Sequence, residues 1–503
     1  MSATGDRPPR GIVVTAHPAA ADAGRRMLQD GGNAVDAAVA AAWALCVCEP
    51  SGSGLGGQTV ALVRTGGATI AIDGHSYAPH RVSRKVVTRA EQRVGHRATT
   101  VPSTPATLAH LHRRFGALSA KQVLAPAIAL AEGGYEITPL QHRQLRWCRS
   151  ALLATAGGRT FLDGGRPYAS GETFRQPALA RCLRRLAHEG VEDFYHGQVA
   201  RAIDRDMNAH GGLLGLDDLE AFHGPGEREP LTCSYRGRSV STVPAPGGGP
   251  QLAHALASLE QLDPSVWRDR PGGWYEAIAG AVHAAFVSRE RDHRRLADAA
   301  SVPRAAVALH GAGTERDGET THLCAADHDG TVVSLTQSIQ SLFGAKVANE
   351  EFGFLYNNYL TTCPRRVHAH RLGAGSRARS NAAPTIVDEP GAAAPAVLAL
   401  GAAGSRRILS SIVQVLSSAV DLGLPLSAAV DRARIHPKLR GRVLLEAPAA
   451  DDDLVTWLQN GFGGVEIRRA HSYAMGAVQA LRVAGGELTG AADPRREGTS
   501  VTA

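Results

Sequence analysis

Thr320-Thr321-His322 stands between a polar run, Glu315-Arg316-Asp317-Gly318-Glu319, and a β-forming one, Leu323-Cys324-Ala325-Ala326-Asp327. By default, two threonines ahead of a strand are simply β-formers. In this setting they can do more. Cleavage of the bond before Thr320 would give a threonine with a free α-amino group. Such an amine titrates near 8 and can take the proton of its own residue's hydroxyl, so one residue supplies both nucleophile and base. The Cβ methyl restricts χ1 and holds the oxygen in place.

That chemistry needs a hydroxyl to orient the nucleophile and backbone N–H groups to receive an oxyanion. After a turn at Asp329-Gly330, the run Thr331–Thr336 should pair with the Thr320 strand, which brings Ser338 of Thr336-Gln337-Ser338 to its side. An outward-facing strand serine is the plain alternative. The loop Gly401-Ala402-Ala403-Gly404-Ser405-Arg406-Arg407, between a predicted strand (396–400) and helix (408–422), could offer the N–H groups, or be an ordinary strand-to-helix turn.

The elements around these residues are legible by pattern. Two helices are expected over residues 18–48. The first stops at Gly31-Gly32; the second starts at Asn33 as N-cap and is Ala-rich on all sides, hence buried. A glycine loop, 51–57, leads to a hairpin of 59–63 and 69–72. Residues 105–220 read as mostly helical, with clear helices at 178–189 and 198–209. A strand is expected over 235–243, a long helix over 274–291, a linker over 293–319 and a terminal strand over 478–483. Strands opening each half with helices between them predict sheets covered by helices.

Other motifs are weaker. Gly52-Ser53-Gly54-Leu55-Gly56-Gly57 contains G-x-G-x-x-G, but a helix precedes it and a strand follows, the reverse of a dinucleotide site. Close backbone packing is the preferred reading. His110/His112 and His368/His370 have no carboxylates at ligand spacing, so no metal is expected. Cys46 and Cys48 read as buried thiols rather than a redox pair.

Composition sets outer bounds. The 503 residues are 44% hydrophobic and 20% charged, an ordinary globular balance. The net charge of +7 is spread thinly, with no basic stripe interleaved with aromatics, which argues against nucleic acid as a partner. Seven cysteines in no zinc or disulfide spacing suggest reduced thiols. The polar Met1–Arg10 segment does not look like a signal peptide, and the apolar run 34–48 is too short and too polar to span a bilayer, so a cytoplasmic protein is expected.

Together the motifs resemble the γ-glutamyltranspeptidase family of self-processing N-terminal-nucleophile hydrolases, over nearly the whole chain. The likeness rests on an ordered set: His17-Pro18, Gly31-Gly32-Asn33-Ala34-Val35-Asp36-Ala37, Glu49-Pro50, Gly54-Leu55-Gly56-Gly57, Leu124-Ala125-Pro126-Ala127, Phe194-Tyr195-His196-Gly197, Gly211-Gly212-Leu213, Thr320-Thr321-His322, Gly353, Asn357-Asn358, Pro384-Thr385-Ile386, Met475-Gly476-Ala477-Val478-Gln479 and Asp493-Pro494-Arg495-Arg496. The resemblance implies an α+β fold, a four-layer αββα sandwich. It implies cleavage at Glu319–Thr320 into a large subunit, 1–319, and a small one, 320–503, which stay intertwined as a heterodimer and can pair further as a dimer of heterodimers. An acyl-enzyme would form on Thr320, with Ser338 at the family's orienting threonine and Gly404 and Ser405 at its two oxyanion glycines. No cofactor is implied.

The same match places departures in the substrate pocket. The family's α-carboxylate arginine falls at His75, its Ser-Ser pair at Ser380-Asn381 and a substrate-binding asparagine at Gln340; the glutamine and aspartate that hold the α-amino group fall at Tyr359 and Thr362. Loss of two charged anchors, each worth about 2–5 kcal/mol, should cripple recognition of a glutamyl zwitterion. The resemblance thus leans toward the family's biosynthetic branch, whose members act in routes to pyrrolobenzodiazepine, lincosamide and hormaomycin-type products and hydrolyse a C–C bond of an alkylproline precursor. There Thr320 would attack an α-keto carbonyl of a small-molecule substrate, Tyr359 could stack on it and His75 could act as a weaker anion partner. A cephalosporin-type acylase, a γ-glutamyl transferase with altered anchors and an unprocessed, non-catalytic binding protein are the alternatives.

Overall fold

The computed structural model describes residues 10–292, 318–364, 371–389, 396–439 and 441–503. His368, His370 and most of the expected 293–319 linker lie outside them. Two antiparallel sheets face each other. The first has seven strands in the order Thr499–Thr502, Gly11–Thr15, Gly318–Asp327, Val332–Ser341, Gln58–Thr65, Ala68–Gly74, Gly226–Arg228. The second has six: Glu487–Ala492, Ala477–Ala484, Ala396–Ala403, Thr385–Glu389, Arg238–Thr242, Leu231–Tyr235.

The period-2 alternation of side chains builds the layers. Cys324 and Ala326 of the Thr320 strand point between the sheets, with Ile12, Val60 and Leu62, onto Ile386, Val397, Ala399 and Leu481 of the second sheet. Leu323 and Ala325 point the other way, under the helices Pro18–Gln29 and Ala34–Cys48. The second sheet's outer residues Val387, Leu398, Leu400 and Val478 are covered by Gly249–Glu260, Pro271–Asp292 and Arg407–Val420. This is the expected αββα sandwich. Both sheets mix strands from before and after the Glu319–Thr320 bond.

Local chemistry fixes the supporting elements. Asn33 caps the Ala-rich helix in a reciprocal capping box with Asp36, and every residue of that helix is buried. The glycine loop is a close-approach loop: a Cβ on Gly56 would sit 2.1 Å from the Leu355 carbonyl oxygen, and one on Gly57 2.5 Å from that of Ser338. All seven cysteines are free thiols, and Cys46 and Cys48 are buried.

Three expectations need correction. The segment 235–243 is not one strand: Arg236 and Gly237 have φ of 50° and 74° and turn a hairpin between Leu231–Tyr235 and Arg238–Thr242. Arg236 is held in that conformation by Asp421 (2.9 Å) and by carbonyls at the end of the neighbouring helix. Gly318 and Glu319 are not linker; they belong to the Thr320 strand. The strand Ala477–Ala484 is not terminal, because Glu487–Ala492 and Thr499–Thr502 follow it and complete the edges of both sheets.

Candidate active site

Thr320 follows the even-numbered parity of its strand and faces the second sheet, 6% exposed. Cross-strand pairing runs from Val332↔Ala326 to Gln337↔Thr321, then resumes at Gln340↔Glu319. Ser338 and Ile339 together oppose Thr320. This β-bulge re-aims the serine, a common device beside active sites. Ser338 Oγ donates to the Glu319 carbonyl oxygen (2.7 Å) and accepts from Thr320 Oγ1 (3.2 Å) and the Gln340 amide (2.9 Å). The hydroxyl that would attack and the carbonyl that would be attacked are therefore bridged by one side chain.

The Gly404-Ser405 loop closes on the same point. It leaves the second sheet after Ala403 and enters the helix Arg407–Val420. A Cβ on Gly318 would lie 2.7 Å from Ser405 Oγ and 3.0 Å from the Gln340 carbonyl oxygen. Ser405 and Gln340 both have positive φ, 58° and 84°. Left-handed backbone at non-glycine residues costs on the order of 1 kcal/mol or more and gathers at functional sites. Just before this loop, Gly401 lets the His322 ring pass: a Cβ there would be 2.3 Å from the imidazole. Burial drives His322 down to about 3, so it is neutral and serves packing.

Glu319, on the other side of the Glu319–Thr320 bond, is 1% exposed and clamped. Its carboxylate pairs with the Arg496 guanidinium and accepts from the Tyr473 hydroxyl; Arg496 stacks over the Tyr473 ring at 4.8 Å. Glu49 lies 3.9 Å from the same guanidinium, and burial, against the pull of Arg496, raises its carboxyl to about 7. Sequence reasoning assigned this clamp no role. Its only signal was that Glu49-Pro50 and Asp493-Pro494-Arg495-Arg496 belong to the ordered motif set.

The expected pocket residues divide. Tyr359 is buried, and its phenol interacts with Ser338, Ser380 and Gln58; burial outweighs these partners and pushes it up to about 12, so it is a neutral phenol. Tyr359, Ser380 and Ser338 are thus brought together. Asn381 accepts from Arg289 of the helix Pro271–Asp292, and the Ser380 carbonyl oxygen accepts from the same guanidinium (3.1 Å). Thr362 is not brought in: its hydroxyl donates to the Tyr359 carbonyl oxygen (2.9 Å) within its own helical turn.

His75 is buried with Nδ1 2.6 Å from Asp73 Oδ1. Asp73 also pairs with Arg377 (2.5 Å) and Arg228 (2.8 Å), and His75, first among these partners, with Arg377 holds its carboxyl well below the usual range despite burial. The neighbouring Ser76 donates from N and Oγ to Gln58 Oε1 (2.9 Å each), and Gln58 is the cross-strand partner of Ser338. The His75-Ser76 segment is thus tied through Gln58 to the strand that carries Ser338. Two arginines converge on Asp73, the partner of His75, which the sequence match did not reveal.

No described helix is long and apolar enough to cross a membrane. His110 and His112 bond Glu227 (2.9 Å) and the Leu118 carbonyl oxygen (2.8 Å), as hydrogen-bonded histidines should.

The gamma-glutamyltranspeptidase family model matches residues 20–503. Acylase ACY 1 proenzyme of a Pseudomonas species is 33% identical over 98% of this chain and 93% of its own length. Glutathione hydrolase proenzyme of Escherichia coli is 27% identical over 97% and 91%. The crystal structure of cephalosporin acylase from Bacillus halodurans superposes with a TM-score of 0.86 at 27% identity, over 100% of this chain and 98% of that one. With a strand-borne threonine set between two sheets and bridged to the preceding carbonyl, and with matches along the whole chain, this protein is a hydrolase or transferase that belongs to the gamma-glutamyltranspeptidase family.

Proposed function

We propose that the chain cleaves itself at Glu319–Thr320 and then opens an amide or activated C–C bond of a small metabolite, of the antibiotic or secondary-metabolite kind, through an acyl-Thr320 intermediate. The single observation that carries this reading is the Thr320–Ser338–Glu319 bridge.

In the precursor, Thr320 Oγ1 attacks the Glu319 carbonyl carbon while its proton passes to Ser338 and the Ser338 proton to the carbonyl oxygen. Collapse breaks the C–N bond, puts a proton on the Thr320 nitrogen and leaves Glu319 as an ester on Thr320. Water hydrolyses that ester. Residues 1–319 and 320–503 then remain held by their shared sheets. In the mature enzyme the Thr320 amine is the base, Ser338 orients the hydroxyl, and the Gly404 and Ser405 amides receive the oxyanion, a function that survives glycine-to-serine replacement because the main chain performs it.

The substrate's acyl part is set by what remains. Arg377 and Arg228 outnumber Asp73, so the anchor keeps positive character and suits an acidic group. Tyr359 and Thr362 offer hydroxyls where a carboxylate would be needed for an α-ammonium, and the Thr362 hydroxyl is already used. An acyl group with a carboxylate and no free α-amine fits, as does a flat conjugated acid over Tyr359. The acylase relatives favour the amide bond.

A denaturing gel tests the first step. Wild-type protein should run as two fragments and Thr320→Ala as one full-length chain. A single full-length band in the wild type would overturn self-processing and leave a ligand-binding protein.

A further inference from the structure

Well away from Thr320 in the sequence, the structure gathers three metal-ligating side chains that have no part in the chemistry above. His96 lies in a short helical turn, His96–Ala98, while Asp206 and His210 sit on the last turn and C-cap of the helix Gln198–Ala209. Their nearest ligand atoms all fall within 4.8 Å of one another. His96 and Asp206 are 9% and 8% exposed, and His96 Nε2 and Asp206 Oδ1 are buried without a hydrogen-bond partner. Orphaned buried polar atoms are costly and call for a partner, an ion among them.

We propose that His96 Nε2, Asp206 Oδ1 and His210 Nδ1 form a binding site for a divalent transition metal of the zinc class. Zinc bonds to nitrogen and carboxylate oxygen of 2.0–2.2 Å around a tetrahedron put neighbouring ligand atoms about 3.4 Å apart. His96 Nε2 lies 3.5 Å and His210 Nδ1 3.3 Å from Asp206 Oδ1. Two imidazole nitrogens and one carboxylate select zinc-like ions over magnesium or calcium, which prefer all-oxygen shells. The carboxylate is oriented from behind: Tyr356 donates its hydroxyl to Asp206 Oδ2 (2.7 Å). Such outer bonds normally fix a metal-binding carboxylate. The site opens to a cleft of about 480 Å³ lined by Glu91, Arg97, Thr155 and Arg159, which gives an entry path and room for water as fourth ligand.

One adjustment is required. The two imidazoles stack with centroids 4.4 Å apart and planes 3° from parallel, whereas an ion must lie in the plane of each ring. His210 is the ring that turns. It is partly exposed and past the end of its helix, and turning releases Nδ1 from the Asp206 carbonyl oxygen (2.9 Å). A bound ion would pin the His96 turn to that helix end and fix the Asp206–Tyr356 bond. Tyr356 precedes Asn357, whose Oδ1 accepts from the Tyr359 amide (3.0 Å), so the clasp holds the segment that carries Tyr359.

Tag-free, chelator-stripped full-length protein is dialysed against Zn2+ and the metal retained is counted. Wild type should keep about one Zn2+ per chain, and a near-saturating excess should raise the melting temperature by about 3 °C. Co2+ in its place should give tetrahedral visible bands. His210→Ala, which removes an exposed ring and leaves the core intact, should keep its metal-free melting temperature and lose at least about tenfold in Zn2+ retention; His96→Ala should lose it as well. Absence of retained Zn2+ in the wild type, or equal retention in His210→Ala, would overturn the site.

Discussion

Ser338 stands at the border of two regions that differ in what their proposed work requires. On one side are Thr320, the Gly404-Ser405 loop and the Glu319 carbonyl; on the other are His75, Tyr359, Thr362 and Ser380-Asn381. On the first side the proposed mechanism gives the work to a hydroxyl or to main-chain N–H groups, and a serine in place of threonine or glycine would still do it. On the second side a glutamyl zwitterion would need charged partners, and no neutral residue replaces a guanidinium or a carboxylate in that role. Machinery built from backbone tolerates sequence change; recognition built from charge does not.

The clamp on Glu319 should give the largest effect on the first region. Arg496→Leu leaves Glu319 and Glu49 buried without their cation, and in a Thr320→Ala background, where the chain stays whole, it should lower unfolding free energy by about 3–5 kcal/mol. Denaturant titration reads this directly; a loss under about 1 kcal/mol, the scale of exposed pairs, would mean the clamp is idle. Ser338→Ala should come next. It removes the donor to the Glu319 carbonyl and, if the proposed cleavage holds, should slow conversion of precursor to fragments by about 10²–10³-fold. Unchanged processing kinetics would move the relay to another group.

A smaller effect belongs to Glu49. Its folded carboxyl, raised to about 7 from the ordinary glutamate value of 4.5, favours the neutral acid. Its contribution to stability is therefore fully present below 4.5 and is lost as the pH climbs through about 7. Glu49→Gln should flatten this part of the stability-versus-pH curve by roughly 3 kcal/mol in the Thr320→Ala background. An unchanged slope would show that Glu49 is not the group titrating there. His17 and His322 act with the opposite sign: burial lowers them to about 4 and about 3, so they stay neutral in the fold and cost stability only as the pH falls below 6.5.

Much of the first region was legible because its signals are local. The Thr320 strand, its partner carrying Ser338, the Asn33 cap and the close-packed glycine loop each sit within a few residues of what they dictate. The hairpin at Arg236-Gly237 was hidden because its positive-φ turn is paid for by Asp421, far along the chain. The second region was legible only as losses. What the structure adds there comes from distant segments: Arg377 and Arg228 converge on Asp73, and the Tyr359 phenol reaches Ser338. Neither periodicity nor spacing encodes such long-range convergence. The Arg496–Glu319 pair escaped notice for the same reason.

The central claim is an intact nucleophile beside a pocket that no longer holds an α-ammonium. Glutaryl and γ-glutamyl p-nitroanilides share the chain and the carboxylate and differ by that ammonium alone, so kcat/KM of the processed enzyme on the pair isolates it. The account predicts that the glutaryl compound is the better substrate by at least about tenfold, since a buried ammonium without a carboxylate partner costs well over 1.4 kcal/mol. Preference for the γ-glutamyl compound would contradict it.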